Sequence, residues 1–181
     1  MSVYKSRRKE STMEFLKVGQ VLCVYTIKQL KKFPKSFRFN LVNDIHRLGI
    51  EINENVLRAN AIYMHKNMTE MEYLMRREHL FKAKSAIFAM SGLLTITFDF
   101  VLQGNNFLGD NKKAEKIFQE WARLLNTEHR LIKGVIDSDK KRWKSFQSKK
   151  PPIHTEEEQL DDKVIDEAVF NVTEAAPKIE E

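Results

Sequence analysis

Residues 33–63 read FPKSFRFNLVNDIHRLGIEINENVLRANAIY, and this stretch decides the fold. Pro34 disfavours helix in the residue before it and cannot lie inside a helix without losing a hydrogen bond. FPKS is therefore predicted as a short turn between two helices, with Ser36 as the N-cap of the second. Beyond the turn, apolar residues recur at steps of four and three: Leu41, Ile45, Leu48, Ile52, Val56, Ala59 and Tyr63. This spacing is typical of a helix with one buried seam and predicts a long helix over residues 37–65.

The sequence on either side predicts three more helices. An apolar stripe over residues 13–32 is wide enough to face two neighbouring helices. Thr69 is a good N-cap with Glu72 at the capping-box position, and the helix that follows has these inward residues: Leu80, Ala83, Ile87, Met90, Leu94, Phe98 and Val101. A fourth helix runs from residue 111 into the 140s, with Phe118, Trp121, Leu125, Ile132 and Ile136 inward. The short connections make neighbours antiparallel, so we predict an all-α, up-down-up-down four-helix bundle.

Charge is distributed unevenly along the chain. Residues 1–150 carry 29 basic and 15 acidic residues, whereas residues 151–181 carry ten acidic residues and two lysines. Pro151 and Pro152 mark the change. We therefore predict a basic N-terminal arm (1–12), a basic bundle (13–148) and an acidic, disordered tail (149–181).

Composition excludes several kinds of site. Cys23 is the only cysteine, so the chain has neither an intramolecular disulfide nor a cysteine cluster for zinc. No run of about 18 apolar residues occurs, and no signal-peptide pattern follows the basic start. We expect a cytoplasmic protein without a membrane partner.

No pattern of catalytic residues emerges from the sequence. A di-iron site in a bundle needs Glu-x-x-His on two helices, and no such pair is present. Glu128 lies near the apolar side of the fourth helix, where an interfacial ion pair or a partly exposed carboxylate is favoured over general acid chemistry. We predict no enzymatic activity, no metal and no cofactor.

Basic residues form two patterns that indicate a phosphate-rich partner. On the fourth helix, Lys116, Arg123 and Arg130 are seven residues apart and share one face, and Lys133 and Lys140 share another. The predicted topology also collects basic residues from several helices at one end of the bundle, including Arg76, Arg77, Lys140, Lys141, Arg142 and Lys144. We predict that these two sets contact nucleic acid or a polymerase. Because few exposed aromatic residues are expected beside them, backbone contact is favoured over base stacking.

Two stretches resemble a known family. Residues 33–60 are similar to the accessory variability determinant of diversity-generating retroelements, within the four-helix-bundle superfamily of the 23S rRNA intervening-sequence protein. The Pro-[RK]-Ser-x-Arg-Phe-x-Leu signature of that family is matched by Pro34, Lys35, Ser36, Arg38, Phe39 and Leu41, and its Ala-Asn helix ending by Ala59 and Asn60. Residues 123–136 resemble its Arg-Leu-Leu…Arg…Gly-x-Ile pattern, through residues that include Arg123, Arg130 and Gly134.

The resemblance implies a homopentamer that binds a retroelement reverse transcriptase and its template RNA or cDNA. It would support error-prone cDNA synthesis as a non-catalytic scaffold. An oligomer is also favoured by apolar residues outside the main seams, namely Phe88, Leu93, Ile96 and Phe100. The alternative is a structural oligomer of the intervening-sequence branch that has no polymerase partner.

Overall fold

Four α-helices make up most of the chain that the structure describes. A computed structural model describes residues 13–103 and 107–148, apart from the side chains of Arg38 and Asn40. The helices are α1 (Glu14–Leu30), α2 (Asn43–Ala61), α3 (Glu70–Leu102) and α4 (Asn111–Gln147), and no strand occurs among the described residues. The prediction of an all-α four-helix fold is confirmed. The predicted N-terminal arm and acidic tail lie outside the described residues.

Each helix packs against the helices next to it in sequence, and α1 also packs against α4. The resulting ring encloses one hydrophobic core to which all four helices contribute. At its centre lies Trp121, which is fully buried and donates a hydrogen bond from Nε1 to Oγ1 of Thr26 at 2.9 Å. The predicted seam residues of α3 and α4 are buried or packed against this core.

The turn around Pro34 is held in place by aromatic rings. Phe33 and Phe37 both pack against Phe107, with ring centroids 4.7 and 5.3 Å apart, and Phe37 also contacts Phe100. The turn thus joins the end of α1 to the α3–α4 connection, and its flanking phenylalanines serve as packing residues.

The start of the second helical segment differs from the prediction. A 3-10 turn (Lys35–Phe37) and a π-helical turn (Arg38–Val42) precede α2, and Ser36 lies inside the first of them. The predicted N-cap role of Ser36 is therefore wrong. The helix also ends at Ala61, where Ile62 adopts an extended conformation, so Tyr63 leaves the seam and is 76% exposed.

Local capping fixes where α3 and α4 begin. The Oγ1 of Thr69 accepts a hydrogen bond from the backbone N–H of Glu72, and the Glu72 carboxylate accepts one from the N–H of Thr69. This confirms the predicted capping box. Asp110 caps α4 by accepting a hydrogen bond from the N–H of Lys113 at 2.6 Å, a cap that was not predicted from the sequence.

Within the described residues, α3 has the length and apolar composition of a membrane-spanning helix. A core helix of a bundle passes the same test, and α3 places residues such as Leu80, Ile87 and Leu94 in the shared core, although only 33% of its apolar stretch is buried. Length and composition therefore do not place it in a membrane. The expected absence of a membrane partner stays a prediction.

Candidate nucleic-acid interface

The outer surface of α4 is strongly basic. Ten lysine and arginine residues are exposed along it, against two exposed carboxylates, Glu115 and Asp137. The ten exposed basic residues are Lys112, Lys113, Lys116, Arg123, Arg130, Lys133, Lys140, Lys141, Arg142 and Lys144. A helix of this length is about 55 Å long, so the basic surface is elongated.

The predicted basic end also forms, because α2, α3 and α4 meet there. Arg76 of α3 donates hydrogen bonds to the backbone oxygens of Ala59 and Ile62 at the end of α2, and to Asp139 of α4. Around this junction the side chains of Arg77, Lys140, Lys141, Arg142 and Lys144 are exposed. The structure therefore brings these five predicted residues to one end of the bundle.

Arg76 itself is not part of the exposed surface, and its prediction as a nucleic-acid contact is wrong. Its side chain is buried, and Nε lies 2.6 Å from Oδ2 of Asp139, which is also buried. Its Nη1 donates to the last carbonyls of α2. The guanidinium is thus used inside the protein, where it pairs with a carboxylate and caps a helix.

Arg123 is exposed, but it already has a partner. Its Nε and Nη2 donate to the two carboxylate oxygens of Glu120 at 2.7 and 2.6 Å. These hydrogen bonds, followed by the attraction between the charges, lower the pKa of Glu120. A phosphate at Arg123 would have to compete with this carboxylate. Lys116 and Arg130 are exposed on the same seven-residue track.

The residues of the signature at 34–41 lie at the opposite end of the bundle, around the Pro34 turn. Lys35 and Ser36 are exposed, Pro34 and Leu41 are half-buried, and the side chain of Arg38 is not described. Phe39 is 81% exposed on the π-helical turn. This signature is therefore separate from the basic end.

The remaining motif positions have simpler roles. Ala59 is buried and supplies a carbonyl to Arg76, while Asn60 is exposed. Gly134 is exposed on α4, and a Cβ at this position would meet nothing within 4 Å. Packing within the chain therefore gives no steric reason for glycine there.

Sequence reasoning placed Phe88 outside the main seams, but it missed that exposed aromatic rings accompany the basic surface. Phe81 and Phe88 of α3 are 42% and 59% exposed. The guanidinium carbon of Arg77 lies 5.3 Å from the ring centroid of Phe81, and Nζ of Lys84 lies 5.8 Å from it. The expectation of few exposed aromatic residues is wrong. The signal in the sequence was the spacing of seven between Phe81 and Phe88, which places both rings on one face of α3 outside its predicted seam.

Glu128 was also predicted incorrectly. It is fully buried in the core, and neither carboxylate oxygen has a hydrogen-bond partner. The carboxyl lies against Gly19 of α1, where an added Cβ would be 3.3 Å from Oε1 of Glu128 and 3.8 Å from Oδ1 of Asn53 of α2. The Oδ1 atom of Asn53 also lacks a hydrogen-bond partner. Burial raises the pKa of Glu128 to about 8. The carboxyl is therefore held in its neutral form near pH 7.

Metal-binding clusters are absent from the described residues, where no three His, Cys, Asp or Glu side chains group to hold an ion. Comparison with protein families, with curated proteins and with solved structures finds no match to this chain. The resemblance of residues 33–60 and 123–136 therefore rests on the motifs themselves.

Proposed function

We propose that this protein is a cytoplasmic, non-catalytic scaffold that binds a retroelement reverse transcriptase and its template RNA or cDNA, and so supports error-prone cDNA synthesis. The observation that carries the nucleic-acid part of the proposal is the exposed surface of α4, with ten basic residues against two exposed carboxylates and the half-buried Glu120 that pairs with Arg123. The polymerase part is supported by the resemblance of residues 33–60.

The basic surface suits contact with the phosphate backbone. A single rigid helix presents its cations at regular intervals, so several phosphates can be bound without reading the base sequence. Such contacts release counterions and make the affinity depend steeply on salt. In this proposal the scaffold holds the template near the polymerase, and the polymerase supplies the chemistry.

The first prediction is that Lys140→Gln combined with Lys144→Gln weakens RNA binding and flattens its salt dependence. Both lysines are exposed at the basic end. For a single strand, removing one lysine–phosphate pair should reduce the slope of log affinity against log salt by about 0.7. Fluorescence anisotropy with an unstructured RNA over a salt series measures both quantities.

The control is Lys17→Gln combined with Lys28→Gln, which removes the same charge from exposed positions of α1. If both double variants change the slope equally, net charge explains the binding and the α4 surface is not the interface. A wild-type protein that binds no RNA would contradict the proposed function.

Co-purification tests the polymerase partner. The protein is expressed with the reverse transcriptase encoded beside its own gene, and the proposal expects the two to elute together from a sizing column. A genome that lacks this gene and the repeated template and variable sequences would favour the structural-oligomer alternative. The alternative would also be favoured if the two proteins fail to elute together both in the presence and in the absence of RNA.

The second prediction is a closed homo-oligomer, which the family resemblance implies to be a pentamer. Exposed apolar residues remain outside the core, including Val21 and Val24 on α1 and Ile96 on α3. Phe88, which was predicted alongside Ile96, is also exposed (59%), whereas Leu93 and Phe100 are half-buried. Light scattering should give a mass five times that of the 21.3 kDa chain, whereas a monomer at micromolar concentration would contradict the prediction.

A further inference from the structure

The surface along which α3 and α4 meet, near the basic end, combines cations with aromatic rings. On α3 the order is Arg77, Phe81, Lys84 and Phe88, at steps of four, three and four, so these side chains lie on one face. Both cations lie within 6 Å of the Phe81 ring, at 5.3 Å for Arg77 and 5.8 Å for Lys84. We name these four residues and the facing residues of α4 the aromatic–basic seam.

The α4 side of the seam is supplied by His129 and Lys133, which are four residues apart and so share a face. The imidazole of His129 meets the Phe88 ring edge-on, with centroids 5.1 Å apart. Lys84 lies one turn from Phe88 on α3 and Lys133 one turn from His129 on α4, so both lysines lie near this ring pair. Burial, and then the charges of these two lysines, lower the pKa of His129. The seam is therefore a continuous surface built from two helices.

Next to the seam, the surface between α3 and α4 continues as an apolar groove. It begins at Ser91, one turn beyond Phe88, and extends to Leu102, with Phe118 and Ala122 on the α4 side. Its volume is about 500 Å³. A strand that crosses the two rings would thus enter a cleft large enough for a flat ring.

The chemistry of the seam identifies its occupant. Phe81 and Phe88, together with the adjoining groove, leave an extended apolar surface in water, and a patch of this kind marks a binding surface. A second protein with an apolar face would have to desolvate Arg77, Lys84 and Lys133, at a cost that such a face cannot repay. Unpaired nucleotides match both features of the seam, because their bases have flat faces that stack on the rings and their phosphates are anions that pair with the cations. A duplex keeps its bases stacked inside and offers phosphates alone.

We propose that the aromatic–basic seam binds single-stranded RNA, with bases stacked on Phe81 and Phe88 and phosphates paired with Arg77, Lys84 and Lys133. This inference rests on the proposed function and adds to it a subsite that prefers unpaired RNA to duplex RNA. The wider α4 surface binds both forms through their phosphates.

The test compares Phe81→Ala, Phe88→Ala and the double variant in the full-length protein. The probes are a labelled single-stranded RNA of about 16 nucleotides and the same strand annealed to its complement. Removal of each ring should weaken single-strand binding about tenfold and leave the salt slope unchanged, because stacking is abolished and no charge is removed. Duplex binding should not change.

Met75→Ala is the matched control, since Met75 is 46% exposed on the same helix and outside the seam. Equal single-strand affinity for wild type and the double variant would overturn the inference while the proposed function stands. A double variant that changes oligomeric mass and weakens both probes alike would make the seam an interface between copies, which also overturns it. A wild-type protein that binds neither probe would refute the inference together with the proposed function.

Discussion

Raising the pH from about 5 to 8 should lower the free energy of unfolding by about 1.4 kcal/mol per pH unit. The cause is Glu128, whose pKa is about 8 in the folded protein and 4.5 in an exposed chain. Within this window the folded state keeps a proton that the unfolded state has released, so each rise in pH favours unfolding. The stabilisation is complete below about pH 4.5 and is lost as the pH passes 8. Urea unfolding over a pH series measures it.

Glu128→Gln is the control, because glutamine keeps the shape of the protonated carboxyl and does not ionise. The difference in stability between the two proteins should be small near pH 5 and should grow with pH in favour of the variant. His129 makes the opposite contribution, because its lowered pKa adds stability as the pH rises towards 6.5. Both proteins contain His129, so this contribution cancels when their stabilities are subtracted. Parallel curves for the two proteins would show that the Glu128 carboxyl is solvated or paired in solution.

The helices were predictable because each one carries its own signal. Apolar residues at steps of three and four define the seams, and the Thr69–Glu72 pair marks a helix start through local hydrogen bonds. The π-helical turn at 38–42 has no such signal, since it alters the helical period for only a few residues. Tyr63 continued the spacing of α2, but the chain had already left the helix.

The sites were less predictable because their partners lie far away in sequence. The spacing of α4 placed Glu128 inward between Leu125 and Ile132, yet a buried carboxyl is expected to have a partner. The structure resolves this conflict by neutralising the acid. Phe81 and Phe88 were visible as a spacing of seven, but the imidazole and one of the lysines near Phe88 come from α4. A pattern within one helix does not report what a second helix brings to it.

Asp139→Ala should destabilise the protein by about 3–5 kcal/mol, because it leaves a buried arginine without its counter-ion. Arg76 and Asp139 are both buried, 63 residues apart in sequence, and their Nε and Oδ2 atoms are 2.6 Å apart. The exposed Lys82–Glu78 pair of α3 provides the comparison. Its disruption by Glu78→Ala should give a change too small to resolve, since water screens that pair.

The double variant Arg76→Met with Asp139→Ala separates the two roles of the arginine. Removal of both charges should recover part of the stability, because no unpaired ion remains in the interior. Recovery should be incomplete, since Arg76 also donates to the carbonyls of Ala59 and Ile62, and methionine leaves both without that donor. The same double variant should bind RNA with an unchanged salt slope once it is folded, because a buried guanidinium contacts no phosphate. A single variant that costs less than about 1 kcal/mol would mean that water reaches this pair. A reduced salt slope for the double variant would mean that Arg76 contacts the RNA, as the sequence analysis predicted.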